Sequence, residues 1–142
     1  MEYHNEYFKK AGIKDIATKN LLYGMKDDYR KKRWSAERKK WGGWDERSTW
    51  CLNDFMTEQI YTWLNIYLDT GGNFVDLSFY HFNVFGKDMT EREAIEHIIE
   101  IFEFYLKNSE SFDLSQEICD KMYKDVEEAY RALGVILPAL WW

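Results

Sequence analysis

Trp41-Gly42-Gly43-Trp44-Asp45-Glu46-Arg47-Ser48-Thr49-Trp50-Cys51-Leu52-Asn53 is the stretch on which the reading of this chain turns. Three of the seven tryptophans fall within it. Gly42-Gly43 stops one element, and Asp45 or Ser48 supplies the side-chain acceptor that caps the next. The acid pair Asp45-Glu46 also suits the positive end of a helix dipole. Beyond it, Leu52, Phe55, Met56, Ile60, Trp63, Leu64 and Tyr67 recur at three- and four-residue steps. That spacing predicts a helix over about 48–69, closed by Thr70-Gly71-Gly72. At 1.5 Å per residue it spans about 33 Å, enough for the central rod of a bundle.

Upstream lies the basic segment 26–41, in which eight of the first fifteen residues are Lys or Arg. In a helix, Arg30, Trp34, Arg38 and Trp41 fall near one stripe of alternating guanidinium and indole groups. Two readings follow. Trp34 and Trp41 pin the helix to a core while the charges lie in water. Alternatively the stripe, with Arg33, Trp44, Arg47 and Trp50, binds an anion by stacking and phosphate contacts.

Further upstream, Tyr3, Tyr7 and Phe8 suggest a first turn or two ending at Gly12, and Ile13, Ile16, Ala17, Leu21 and Leu22 a short helix broken at Gly24. Downstream, residues 73–88 are the irregular part. Their crowded aromatics with partial alternation suit either a short hairpin or a buried aromatic loop. Thr90 and Glu93 form a capping box that opens a helix running to about 107. Its inward positions are Ile95, Ile98, Ile99, Phe102, Tyr105 and Leu106. Its wet side carries Glu91, Glu93, Glu96, Glu100 and Glu103. A last helix over about 113–133 buries Leu114, Ile118, Met122, Val126, Ala129, Tyr130 and Leu133, and Gly134 closes it. The apolar tail Val135–Trp142 either docks on the bundle or forms an oligomer contact.

The fold expected is all-α: a bundle of about three long helices plus short N-terminal ones, in a single domain over 1–142. Within it, 1–25 is a lead-in, 26–41 the basic segment and 48–142 the bundle core. Charge is unevenly spread. Residues 1–47 carry 13 Lys and Arg against 8 Asp and Glu, a net +5; residues 48–142 carry 6 against 17, a net −11. So acidic a chain is not a general DNA coater. No apolar run approaches the ~20 residues of a membrane helix, and the first residues lack the charged and apolar regions of a signal peptide. Cys51 and Cys119 have neither metal nor redox spacing and read as reduced thiols packed in the core. His81 stands alone, and Glu93…His97 is not the Glu-x-x-His of bundle metal sites. No metal or cofactor is expected.

The pattern Gly43-Trp44-Asp45-Glu46-x-Ser48-Thr49-Trp50-x-Leu52-Asn53 resembles a family of small bacteriophage and prophage proteins. The family's core is an aromatic residue, an acidic capping run and Thr-Trp-x-Leu-Asp opening a long helix. Met-Thr-Glu opens a second helix, here Met89-Thr90-Glu91, and Leu-Trp ends the chain, here Leu140-Trp141. The resemblance covers roughly 40–142. It departs at Asn53, where Asp is usual, at Ser48, where an acid is usual, and in the aromatic content of 73–88. It implies a viral origin and a helical fold, and carries over no catalytic residue.

The functional expectation is a non-enzymatic, phage-encoded homo-oligomer in the host cytoplasm. It sequesters a nucleotide-like anion or single-stranded nucleic acid as a counter-defence factor. The alternative is a protein-interaction module, either an inhibitor of a host protein or a phage assembly part, for which Trp, Tyr and Arg are equally suited. An enzyme is disfavoured, since no nucleophile triad, phosphate loop or dinucleotide fingerprint is present. On the anion reading, Arg30→Ala with Arg38→Ala abolishes binding and leaves stability unchanged.

Overall fold

The computed structural model describes residues 5–14, 17–18, 28–109, 111 and 113–141. The short helix expected over 13–23, with Ile16, Leu21, Leu22 and the break at Gly24, lies largely outside these residues. So do Tyr3, the first two residues of the basic segment and Trp142. The chain is mostly helical and divides into two compact units, Met1–Gln59 and Ile60–Trp142. Among the described residues, no helix is long and apolar enough to cross a membrane.

The first unit opens with α1, Glu6–Ala11. Asn5 caps it, its side-chain oxygen accepting from the Tyr7 and Phe8 amides at 3.1 and 3.2 Å. Gly12 ends it at φ 74, where a left-handed residue lets the Ile13 amide reach back to the Phe8 carbonyl. Next comes α2, Lys31–Lys40, whose single buried residue is Trp34. Asp45, not Ser48, then caps a 3-10 turn over Glu46–Thr49, and α3 runs over Leu52–Thr70. The expected helix over 48–69 is therefore two pieces, because Asp45 directs its acceptor at the Arg47 amide and closes a tighter turn first. Within this unit Glu58 is only 2% exposed. It accepts from the Thr18 amide at 2.9 Å and from the Thr18 hydroxyl. Burial outweighs those donors and pushes its carboxyl up to about 7.

The second unit takes the rest of α3, then a hairpin of β1, His81–Val84, and β2, Lys87–Thr90. His81 pairs with Thr90 and Val84 with Lys87. The turn is Phe85-Gly86, both at positive φ (54 and 71). That is the geometry of a two-residue turn matching strand twist. Of the two alternatives that the sequence left open for 73–88, the hairpin is the one formed, shifted to 81–90, and it adds one small two-stranded sheet to a mostly helical chain. Its Phe-Gly turn lacks the Asn-Gly that most often marks such a hairpin. The Phe85 ring instead packs edge-on against His97 at 4.4 Å. His81 Nδ1 lies 2.8 Å from the Asp88 carboxylate across the strands.

α4, Glu91–Asn108, starts at the expected capping box between Thr90 and Glu93. Its inward face carries Ala94, Ile95, Ile98, Phe102 and Tyr105. Glu91, expected in water, is buried, and it accepts from Tyr67 Oη at 3.2 Å. Burial raises its pKa, and desolvation with the nearby Glu91 charge pushes the Tyr67 phenol up to about 12. α5, Gln116–Ile136, is capped by Ser115. Gly134 does not close it: the helix runs on to Ile136, which is fully buried, and a 3-10 turn over Leu137–Ala139 follows. Burying Ile136 outweighs the ~1 kcal/mol that a helical glycine costs. Ile118, also expected inside, is 45% exposed.

Two outcomes follow. Thr90→Ala removes one half of the capping box and should cost about 1 kcal/mol in urea unfolding. Glu58 binds its proton more tightly folded than unfolded. Its stabilising contribution is therefore complete below pH 4.5 and is lost as pH climbs through about 7. The loss amounts to roughly 3 kcal/mol. Glu58→Gln should abolish that decline and be the more stable protein at pH 8.

Candidate functional site

The groups singled out in the sequence meet in one cluster within the first unit, built around two consecutive carboxylates. The Asp45 side chain is fully buried. Arg38 donates to its Oδ2 at 2.6 Å, and Arg47 forks onto both oxygens at 3.0 and 2.9 Å. Burial alone would raise the Asp45 pKa; the hydrogen bonds from Arg47 and Arg38 outweigh it and hold the carboxyl below its usual value. Glu46 accepts from Trp34 Nε1 at 2.8 Å and from Arg33. Those donors, Trp34 foremost, lower its pKa as well. Glu37 completes the frame, taking the Glu46 amide at 2.9 Å with Arg33 3.5 Å away.

Trp34 is the hub, at 1% exposure. The Arg47 guanidinium lies 4.3 Å and that of Arg30 5.0 Å from its ring centre. Arg30 also lies 5.1 Å from the Trp50 ring, which meets Trp34 edge-on at 5.9 Å. Arg30 forks onto Asp28 at 2.9 and 2.8 Å. That contact holds the Asp28 carboxyl down at about 2.

The structure thus joins Arg30, Arg33, Trp34, Arg38, Arg47 and Trp50 through direct contacts. Trp41 and Trp44 stand outside that network. Trp41 lies beneath Lys40, whose Nζ is 5.7 Å from the ring, and Trp44 packs edge-on to Phe55 at 5.6 Å. Four arginines face four carboxylates, so the cluster is internally neutral. Trp34 fills core space and offers no open face to a stacking base. The residues that sequence reasoning passed over are the acids Asp28, Glu37, Asp45 and Glu46. Their signal was present as carboxylates interleaved among arginines, but the last two read as helix caps. Still exposed are Trp41, Trp44 and Trp50, at 50%, 43% and 44%. Leu52 and Met56, in the first turns of α3, are also exposed.

Cys51 and Cys119 are free thiols; both were expected in the core, but Cys51 is exposed and Cys119 only partly buried. Among the described residues no group of three or more His, Cys, Asp or Glu is placed to hold a metal. Comparison with protein-family models, with curated proteins and with solved structures finds no match.

The pairing of Arg38 with a buried carboxylate reverses one expectation: Arg30→Ala with Arg38→Ala should destabilise the protein. Stronger still, Asp45→Ala strands the nearly buried Arg47 and should cost about 3 kcal/mol in urea unfolding followed by tryptophan emission. A double-mutant cycle with Arg47→Ala should return a coupling of about 1 kcal/mol or more. Additive losses would mean that the fork contributes nothing beyond its two side chains.

Proposed function

We propose that this chain is a non-enzymatic protein-interaction module whose contact surface is the tryptophan platform Trp41, Trp44 and Trp50. The observation that carries the reading is the division of labour in the cluster. Every arginine in it is engaged by a carboxylate of the same unit. The three tryptophans remain open, and Trp44 and Trp50 are braced from below by Phe55 and Trp34. An anion would have to compete with a carboxylate already paired to each arginine, Arg33 and Arg38 included, although these two side chains stay 56% and 40% exposed. A protein partner finds large, rigid, partly apolar rings that lose little freedom on binding. In keeping with the phage-family resemblance, we assign the partner to the host cell.

The anion reading keeps one supporting observation. Lys31, Lys32, Lys39 and Lys40 are exposed on α2, with Lys40 over Trp41. A nucleotide or single strand bound there would use the lysines and Trp41, leaving the arginine pairs intact. We further infer that the second unit is a small helical bundle. The later half of α3 joins α4 through the Tyr61–Glu103 bond at 3.0 Å and the Tyr67–Glu91 bond.

The test is affinity capture from host cells with the wild type, followed by titration of the identified partner against variants. Trp44→Ala and Trp50→Ala should each weaken the complex by about 2 kcal/mol, roughly thirtyfold. Trp44→Ala should leave the melting temperature close to that of the wild type. Binding of oligo-dT or ATP that disappears in Lys39→Ala with Lys40→Ala, with no Trp-dependent protein partner, would replace this reading with the anion one.

A further inference from the structure

We infer that the seam between α4 and α5, in the second unit, docks a basic amphipathic helix from a partner protein. A groove of about 260 Å³ opens there. Its floor is Ile101, Phe104, Ile118 and Met122, and its rim is Glu100, Lys121 and Asp125. Phe104 and Ile118 are each 45% exposed. Ile118 and Met122 stand one turn apart on α5, so they line one strip of the floor.

Three observations select the occupant. The volume lies below the ~300–1,000 Å³ of small-molecule pockets and suits side chains projecting from a helix laid in a groove. The only cation on the rim, Lys121, is tied to Asp125 at 2.6 Å, so the rim presents Glu100 as net negative charge. Residues 60–142 carry 6 Lys and Arg against 15 Asp and Glu, a net −9. A surface of that sign repels a second copy of itself and an anionic membrane alike, and attracts lysine- and arginine-rich segments. The floor holds the apolar face of such a helix; Glu100 and the net negative charge of the unit attract the basic face. This site lies in the second unit and does not depend on the tryptophan platform.

A residue-resolved NMR titration of the full chain tests it, using a synthetic peptide of leucine and lysine with leucines at i, i+3, i+4 and i+7. The control has the same composition with its leucines spread around the helix. Shifts confined to 100–104 and 118–125, with the signals of 41–50 unmoved, are the expected result. Ile118→Asn should weaken binding roughly tenfold or more, and added salt should weaken it further. Because Ile118 is half exposed, its variant should fold normally, and Phe104→Ala repeats the test from the other helix. Equal binding of the control peptide, or shifts spread over the whole acidic surface, would reduce the effect to bulk charge and overturn the proposal. Wild-type affinity in both variants would do the same. So would concentration-dependent broadening at the groove in the free protein, which would make a second copy the occupant.

Discussion

A carboxylate with no water around it must be surrounded by donors, and Asp45 is the residue of the first unit to which this applies most strictly. Two guanidinium groups and a backbone amide close on it. The same carboxylate begins the next helical segment, because its Oδ1 caps the turn over Glu46–Thr49. One buried charge therefore sets the chain direction after α2 and brings Arg47 over Trp34. It also leaves Glu46 positioned to take the indole N–H. Removing a single partner leaves a charge stranded in a low-dielectric interior, which is why such pairs are held in place even where their net contribution is small.

The consequence for function is a separation of charge from surface. Arginine and tryptophan together suggest nucleotide recognition when they are read along a helix. In the folded unit each of these arginines is paired with an acid, Arg30 and Arg47 largely buried and Arg33 and Arg38 still partly in water, while three tryptophans are also partly exposed. On the proposed reading, paired arginines beside partly exposed rings suit a protein contact better than a phosphate cradle, whose cations must be left available. The second unit separates the same properties differently. There the acids dominate the surface, and the apolar seam of α4 and α5 is partly open between them.

Burial also explains where single residues behave against type. Glu58 and Glu91 sit inside despite their charge, each held by hydroxyl or amide donors, and both have raised pKa values because the cost of burying the charge exceeds what those bonds return. Gly134 stays helical because the residue two places on, Ile136, has a core to fill.

Local chemistry by itself determined much of this protein. Gly12 as a helix end, the capping box of Thr90 and Glu93, the apolar period of α4 and the stop at Gly42-Gly43 depend on neighbours a few residues away, and all were legible in the chain. Tertiary structure decided the rest. Phe85 takes a left-handed turn conformation that its type disfavours, in a hairpin where its ring packs against His97. Ile118 was assigned to the core by its spacing, yet the groove leaves it half exposed. The arginines of the basic segment looked available because their acids lie at separations of up to thirteen residues, as between Arg33 and Glu46. Helical spacing relates residues three and four apart; only folding brings an arginine to a carboxylate beyond that reach, and burial makes the pairing obligatory at Asp45, which Arg38 meets from seven residues away.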